Sequence, residues 1–139
     1  MLRNFDNCLA HRNRLFAVTR RVTLGKVTAN GSAYFAQFFL WSGEAREELL
    51  AELGFHVKAT LHTSSASMKY FHELKAFDVF EIIVWPEIRR MSISLRFFFV
   101  CSGKLIAIGD QDICVKANGE LVPLSGEILH AFSRFMPEK

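Results

Sequence analysis

The sequence predicts an α+β fold in which a bent antiparallel sheet wraps around one long central helix, and three observations carry that expectation. The stretch Gly31 to Glu48, GSAYFAQFFLWSGEAREE, opens with Tyr34, Phe35, Ala36, Phe38, Phe39, Leu40 and Trp41, interrupted only by Gln37. A helix that is apolar on every side belongs inside a fold rather than on its surface. One alternating strand pattern precedes it, and nearly everything after it has the period of β-structure. Only a short stretch near the end, Ser125 to Phe135, reads again as helix.

The chain has 139 residues, half of them hydrophobic and fourteen of them Phe, which suits a single domain with a substantial core. That supply of apolar side chains argues against disorder. No apolar run nears the roughly 18 residues of a bilayer span, so no membrane association is expected. The opening MLRNFDNCLAHRNR lacks the apolar centre of a secretory signal. Cys8, Cys101 and Cys114 are odd in number and show no CxxC spacing, the pattern of reduced thiols in a cytoplasmic protein. No cofactor or metal is expected, since His11, His56, His62, His72 and His130 have no metal-ligand spacing. The net charge of +3 is uneven: Arg3, Arg12, Arg14, Arg20, Arg21 and Lys26 face only Asp6 near the start of the chain. A basic arm of this kind can steer an acidic partner. No aromatic-basic motif or recognition helix accompanies it, which excludes nucleic acid from the expected partners.

In chain order, residues 1–13 are polar and irregular and read as an extension outside a single domain of residues 14–139. From Leu15 to Leu24 a strand alternates Phe16, Val18, Val22 and Leu24 against Thr19, Arg21 and Thr23. Ala29-Asn30-Gly31 reads as a turn and Ser32 as the N-cap of the long helix, which ends near Leu53-Gly54. Gly43 inside that helix costs about 1 kcal/mol relative to Ala and marks close approach of the sheet. His56 to Tyr70 is one long or bent strand, His72 to Asp78 a turn, and Val79 to Trp85 an apolar strand ended by Pro86. Met91 to Cys101 alternates Met91, Ile93, Leu95, Phe97, Phe99 and Cys101 with Ser92, Ser94, Arg96, Phe98 and Val100. Ser102-Gly103-Lys104 makes a hairpin with Leu105 to Lys116, Asn118-Gly119 another turn, and Ser125 caps the final helix. The sheet is left with an edge strand and one uncovered face, which predicts oligomerisation to a homodimer or homotetramer.

Three groups of residues resemble a known family. They are Gly31-Ser32-Ala33-Tyr34-Phe35 at the helix opening, Trp41-Ser42-Gly43 with Arg46-Glu47, and Tyr70-Phe71-His72-Glu73-Leu74-Lys75-Ala76-Phe77-Asp78. Together they resemble the hotdog-fold acyl thioesterases of the hydroxybenzoyl-coenzyme A type, and within them the thioesterases of enediyne polyketide pathways. The likeness runs from about Leu15 to Phe135 and implies hydrolysis of an acyl or polyketide thioester. General members carry D-T-D-x-x-G ahead of the helix, with the second acid as base or nucleophile. Lys26-Val27-Thr28-Ala29-Asn30-Gly31 stands there instead, so Thr28 takes the acid position. Enediyne-type members also lack the acid and carry an arginine further along the helix, a position matched by Arg46. Their tyrosine on the same helix face is matched by Phe38, so that hydroxyl is missing.

The expected chemistry needs no carboxylate. A thioester is already activated, and polarising its carbonyl beside a placed water suffices. The helix-start amides of Ala33, Tyr34 and Phe35 are the expected oxyanion donors, with partial positive charge from the helix dipole. Arg46 adds fixed charge, and Thr28 orients the water. Gly31, Ser32, Ala33, Phe38, Trp41 and Glu73 are expected to contact the substrate, in an apolar slot facing Trp85, Phe97 and Phe99. Whether Glu47 or Glu73 serves as a base stays open at this point. The expected substrate is an acyl chain on an acyl carrier protein of a polyketide synthase. The alternatives are a general acyl-coenzyme A thioesterase and a non-catalytic acyl-binding protein of the same fold.

Overall fold

A computed structural model describes residues 2–54 and 61–137. The elements run α1 (Phe5–Ala10), β1 (Phe16–Arg21), α2 (Gln37–Glu52), β2 (Leu61–Tyr70), β3 (Val79–Ile88), β4 (Ser92–Cys101), β5 (Lys104–Ala117), β6 (Glu120–Val122) and α3 (Gly126–Ser133). One six-stranded antiparallel sheet has the order β1-β3-β4-β5-β2, with β6 added to β5. This is the α+β hotdog arrangement, with α2 packed against one sheet face. The part of the expected second strand at 56–60 lies outside the described residues.

The alternation in β4 decides the layering. Ile93, Leu95, Phe97 and Phe99 join Phe38, Trp41, Ala45 and Leu49 of α2 in the main core. Phe98 and Val100 point the other way, into a second cluster with Cys8, Leu15, Ile83 and Trp85. Three consecutive phenylalanines are thus fully buried, divided between two layers. The two-residue turns after β4 and β5 follow from φ values of 51° and 75° at Ser102-Gly103 and 53° and 81° at Asn118-Gly119.

Several expectations are corrected here. Residues 2–14 are neither irregular nor apart from the domain. Asn4 caps α1 by accepting from Asn7 N–H at 2.8 Å, and Cys8 is sealed against the sheet. The Arg3 guanidinium donates to the carbonyls of Trp85 at 3.0 Å and Ser94 at 2.9 Å, to Ser94 Oγ at 2.9 Å, and pairs with Glu87. The chain therefore covers its own second sheet face, and Trp85 lies under α1 beside His11 rather than facing α2. Pro86 does not end β3: it pairs with Leu95, past Val84 where β1 stops, so its missing N–H falls where β3 has a neighbour on one side only. Gly43 faces open space; the close approach belongs to Gly109 of β5, where an added Cβ would lie 2.8 Å from Met68 Cε and 3.5 Å from Ser42 Oγ. Leu24 leaves the strand face and is exposed in a short 3-10 turn.

The largest correction concerns α2. It begins at Gln37, not at Ser32, and its apolar start is not buried all round. Phe38 and Trp41 face the core, whereas Tyr34, Phe35, Phe39 and Leu40 are exposed on the protomer. Asn30-Gly31 is the reason. The pair closes a small hairpin, with Gly31 at φ 79° after a turn whose Gly31 N–H donates to Thr28 O at 2.9 Å. The chain therefore runs on from the turn and enters the helix only at Gln37, six residues after Gly31.

Candidate functional site

The hairpin arm of residues 26–34 and the turn of residues 71–78 are laced together by backbone bonds. Thr28 N–H donates to Ser32 O at 2.8 Å, Tyr34 N–H to Lys26 O at 2.9 Å, Ala33 N–H to Leu74 O at 2.7 Å and Ala76 N–H to Gly31 O at 3.0 Å. Two of the three expected oxyanion donors, Ala33 and Tyr34, are thereby occupied. Gln37, Phe38 and Phe39 donate to the carbonyls of Tyr34, Phe35 and Ala36. The N–H groups of Phe35 and Ala36 have no acceptor among the described residues, and they stand at the positive end of a 16-residue helix. The donor pair is thus displaced by one residue from the sequence reading, and it sits at the protomer surface, with Phe35 59% exposed.

Tyr70, at the end of β2, entered the sequence reading as part of the Tyr70–Asp78 motif but not as a candidate site residue, and the structure brings it to the helix start. Its hydroxyl donates to the Phe35 carbonyl at 2.6 Å, and its ring meets Phe38 edge-on at 5.2 Å. Burial raises its phenol pKa above the ordinary value, so it stays protonated at neutral pH. The signal available in sequence was a tyrosine at the end of a strand feeding the turn, beside the position where the helix tyrosine is replaced by Phe38. Gln37 is the second omission. It interrupts the apolar run, is only 7% exposed, and its buried Nε2 finds no acceptor among the described residues. Helical side chains lean toward the N-terminus of their helix, the end at which the free amides stand.

The remaining expected residues divide. Ser32 Oγ donates to Glu73 Oε2 at 3.1 Å, which brings this carboxylate to the arm that leads into the helix. Thr28 is exposed, and its hydroxyl is directed at the Ser32 carbonyl of its own turn at 3.3 Å. The Tyr34 ring packs against that of Phe35, tilted by 44° with the centroids 4.7 Å apart. Phe38 and Trp41 are core residues, Trp41 lying 4.7 Å from Phe80 and Phe38 5.1 Å from Phe99, so Trp41 is withdrawn from substrate contact. Phe97 and Phe99 are fully buried in that packing and do not line an open slot. Arg46 is nine residues beyond Gln37, about 13 Å along the axis. Its guanidinium donates to Thr63 Oγ1 on the β2 edge and to Gln111 Oε1 at 3.0 Å. Both acceptors are neutral, and no carboxylate pairs with it among the described residues. Glu47 is exposed on the outer side of α2.

Half of the basic arm is already used. Arg12 forks onto Glu81, Arg20 pairs with Glu48, and Arg3 pairs with Glu87. A cavity of about 240 Å³ beside Arg3, Trp85, Glu87 and Met136 lies near α1, away from the helix start, and the Arg3 donors there are spent on protein acceptors. The described residues hold no His, Cys, Asp and Glu cluster able to bind a metal. None of their helices is long and apolar enough to cross a membrane.

Fold and site together define a class. The chain belongs to the thioesterase-like superfamily, whose family model matches residues 22–132. Its reaction class is thioester hydrolysis. It is similar to a dynemicin thioesterase crystallised in work on polyene binding, at 25% identity and TM-score 0.78 over 90% of this chain and 99% of that one. It is also similar to the BH1999 gentisyl-coenzyme A thioesterase, at 25% identity and TM-score 0.74 over 84% of this chain and 99% of that one. A hypothetical protein from Aquifex aeolicus gives 25% identity and TM-score 0.77 over 84% and 98%. No curated protein matches the chain.

Proposed function

We propose that the protein hydrolyses an acyl or polyketide chain from an acyl carrier protein of a polyketide synthase, gripping the thioester carbonyl at the start of α2. The observation that carries this reading is the pair of unspent N–H groups on Phe35 and Ala36. As water adds to the carbonyl carbon, negative charge grows on the oxygen, and two fixed donors at a helix N-terminus lower that barrier. Collapse of the intermediate breaks the C–S bond and releases carboxylic acid and thiol. Glu73, held by Ser32 Oγ, is better placed than Glu47 to take the water's proton. The exposed Tyr34, Phe35, Phe39, Leu40 and Phe71 give an acyl chain an apolar bed.

The site is completed by a second copy of the chain. The outer edge of β2 pairs with no strand among the described residues and is exposed along most of its length, and such an edge recruits another strand. Antiparallel pairing of two β2 edges about their middle sets Thr63, and with it Arg46, opposite the Met68–Tyr70 end of the other protomer. That removes the 13 Å separation within one chain. The homodimer is the unit this requires; α1 over the second sheet face disfavours a tetramer built there. Of the basic arm, the exposed Arg14, Arg21 and Lys26 remain for an acidic carrier. The three cysteines are free, in keeping with a reducing cytoplasm. Hydrolysis of acyl-coenzyme A is the second reading, favoured by the similarity to the gentisyl-coenzyme A enzyme.

Free-thiol release from matched acyl-carrier and acyl-coenzyme A substrates tests the proposal, with faster release from the carrier expected. Arg46→Ala should lower turnover about 100-fold, equivalent to roughly 3 kcal/mol of lost oxyanion stabilisation, with the fold intact. Unchanged turnover in that variant removes Arg46 from the mechanism, and bound acyl chain without thiol release makes the protein a binder.

A further inference from the structure

We infer that Tyr70 is a positioning residue that locks the peptide between Phe35 and Ala36 so that the Ala36 N–H faces the thioester oxygen. The inference deepens the reading above and rests on it for its kinetic consequence, but its geometric content stands alone. The carbonyl of Phe35 and the N–H of Ala36 belong to one peptide unit, and in a trans peptide the two point in opposite directions. Fixing the carbonyl therefore fixes the donor. Two groups hold that carbonyl: Tyr70 Oη at 2.6 Å and, more loosely, Phe38 N–H at 3.3 Å. The weaker bond is the first turn of α2, where helices fray. The shorter one comes from outside the helix.

Tyr70 is itself immobilised. Its backbone pairs with Ala107 in β5, the next two N–H groups, of Phe71 and His72, both donate to Ile106 O, and its ring rests edge-on against buried Phe38. The sheet thus grips one of the two peptides whose N–H groups form the donor pair, the one that carries the Ala36 N–H. A donor placed on the carbonyl also polarises the amide, which strengthens its N–H toward an acceptor on the far side. A purely structural tyrosine would satisfy its hydroxyl equally well with water at this half-exposed position, and no buried group depends on it.

Tyr70→Phe keeps the ring and removes the lock. Two measurements on the purified protein decide the matter. With alanine amides labelled by ¹⁵N, the Ala36 signal should shift and exchange its proton faster in the variant, while the signals of Ala45 and Ala107 stay in place. With the acyl-carrier substrate, kcat should fall about 10- to 30-fold, with KM changed less than twofold and the melting temperature within about 2 °C. An unmoved Ala36 signal overturns the inference, as does full kcat in the variant of an active wild type, or a loss confined to KM. If the wild type hydrolyses no thioester, the functional reading falls, and the Ala36 signal alone upholds or overturns the lock.

Discussion

Replacing Gln37 by Met separates what the helix start contributes to folding from what it contributes to chemistry. Gln37 is 93% buried at the first position of α2, its backbone N–H is satisfied by Tyr34 O at 2.9 Å, and its Nε2 has no acceptor in the described protein. A buried donor left unpaired costs about 1–3 kcal/mol. Methionine has nearly the same length and volume, needs no acceptor, and its flexible thioether adapts to the space beside Trp41. Both residues are good helix formers, so propensity is unchanged. The substitution should therefore stabilise the protein by about 1–2 kcal/mol. At roughly 3 °C per kcal/mol for a domain of this size, the melting temperature rises by about 3–6 °C. Circular dichroism melts and urea titration with an unchanged m-value measure it. The same variant should lose at least about tenfold in kcat/KM, because helical side chains lean toward the helix N-terminus, the end where the free amides of Phe35 and Ala36 stand. A melting temperature lower than wild type would refute the reasoning, since it would mean the carboxamide is satisfied in the native state. Full activity would show that it faces the core and not the substrate.

Two further outcomes follow from packing. Burial pushes the Cys8 thiol up to about 12 from its ordinary 9.0. With the folded value raised, this stability is whole below about pH 8.5, where both states hold the proton. It is lost as pH climbs toward 12, at up to about 1.4 kcal/mol per unit, and alkaline urea titrations of Cys8→Ala should show a flatter decline. At Gly109 an added Cβ meets Met68 Cε at 2.8 Å and Sδ at 3.1 Å, the far end of a flexible side chain. Gly109→Ala should thus cost under about 1 kcal/mol. Gly109→Val also presses on Ser42 Oγ and should cost about 2 kcal/mol or more by thermal melts. Equal losses in the two variants would show that Met68 cannot move aside.

The sheet was legible because its burial is two-sided and periodic: Ile93, Leu95, Phe97 and Phe99 announced one face, and Phe98 and Val100 the other. Turn chemistry was legible at Ser102-Gly103, Asn118-Gly119 and the Ser125 cap, whose hydroxyl accepts from Ile128 N–H at 3.2 Å. At Asn30-Gly31 the turn itself was legible, but Ser32 behind it was taken for the helix cap, because the apolar run that follows suggested an immediate helix where the chain first runs on from a hairpin. That error set the free helix-start amides one residue too early and hid the contact of Tyr70 with Phe35, 35 residues away in sequence. Apolar content at Tyr34, Phe35, Phe39 and Leu40 signalled removal from water, but composition does not say whether the cover is the same chain or another. The helical character of residues 5–10 went unseen because six residues give too short a window for periodicity.

The docking of α1 has a kinetic corollary. Arg3 fastens to Trp85 and Ser94, contacts separated from it by 82 and 91 positions, and Arg12 to Glu81 across 69. These residues leave the ribosome long before the β3–β4 hairpin that receives them exists. The segment translated early is seated late, and until then Ile83, Trp85, Phe98 and Val100 form a bare, sticky surface on the nascent sheet. Latching by Arg3 must therefore wait for that hairpin, and a variant that weakens it should show its defect as aggregation during synthesis before any loss of turnover.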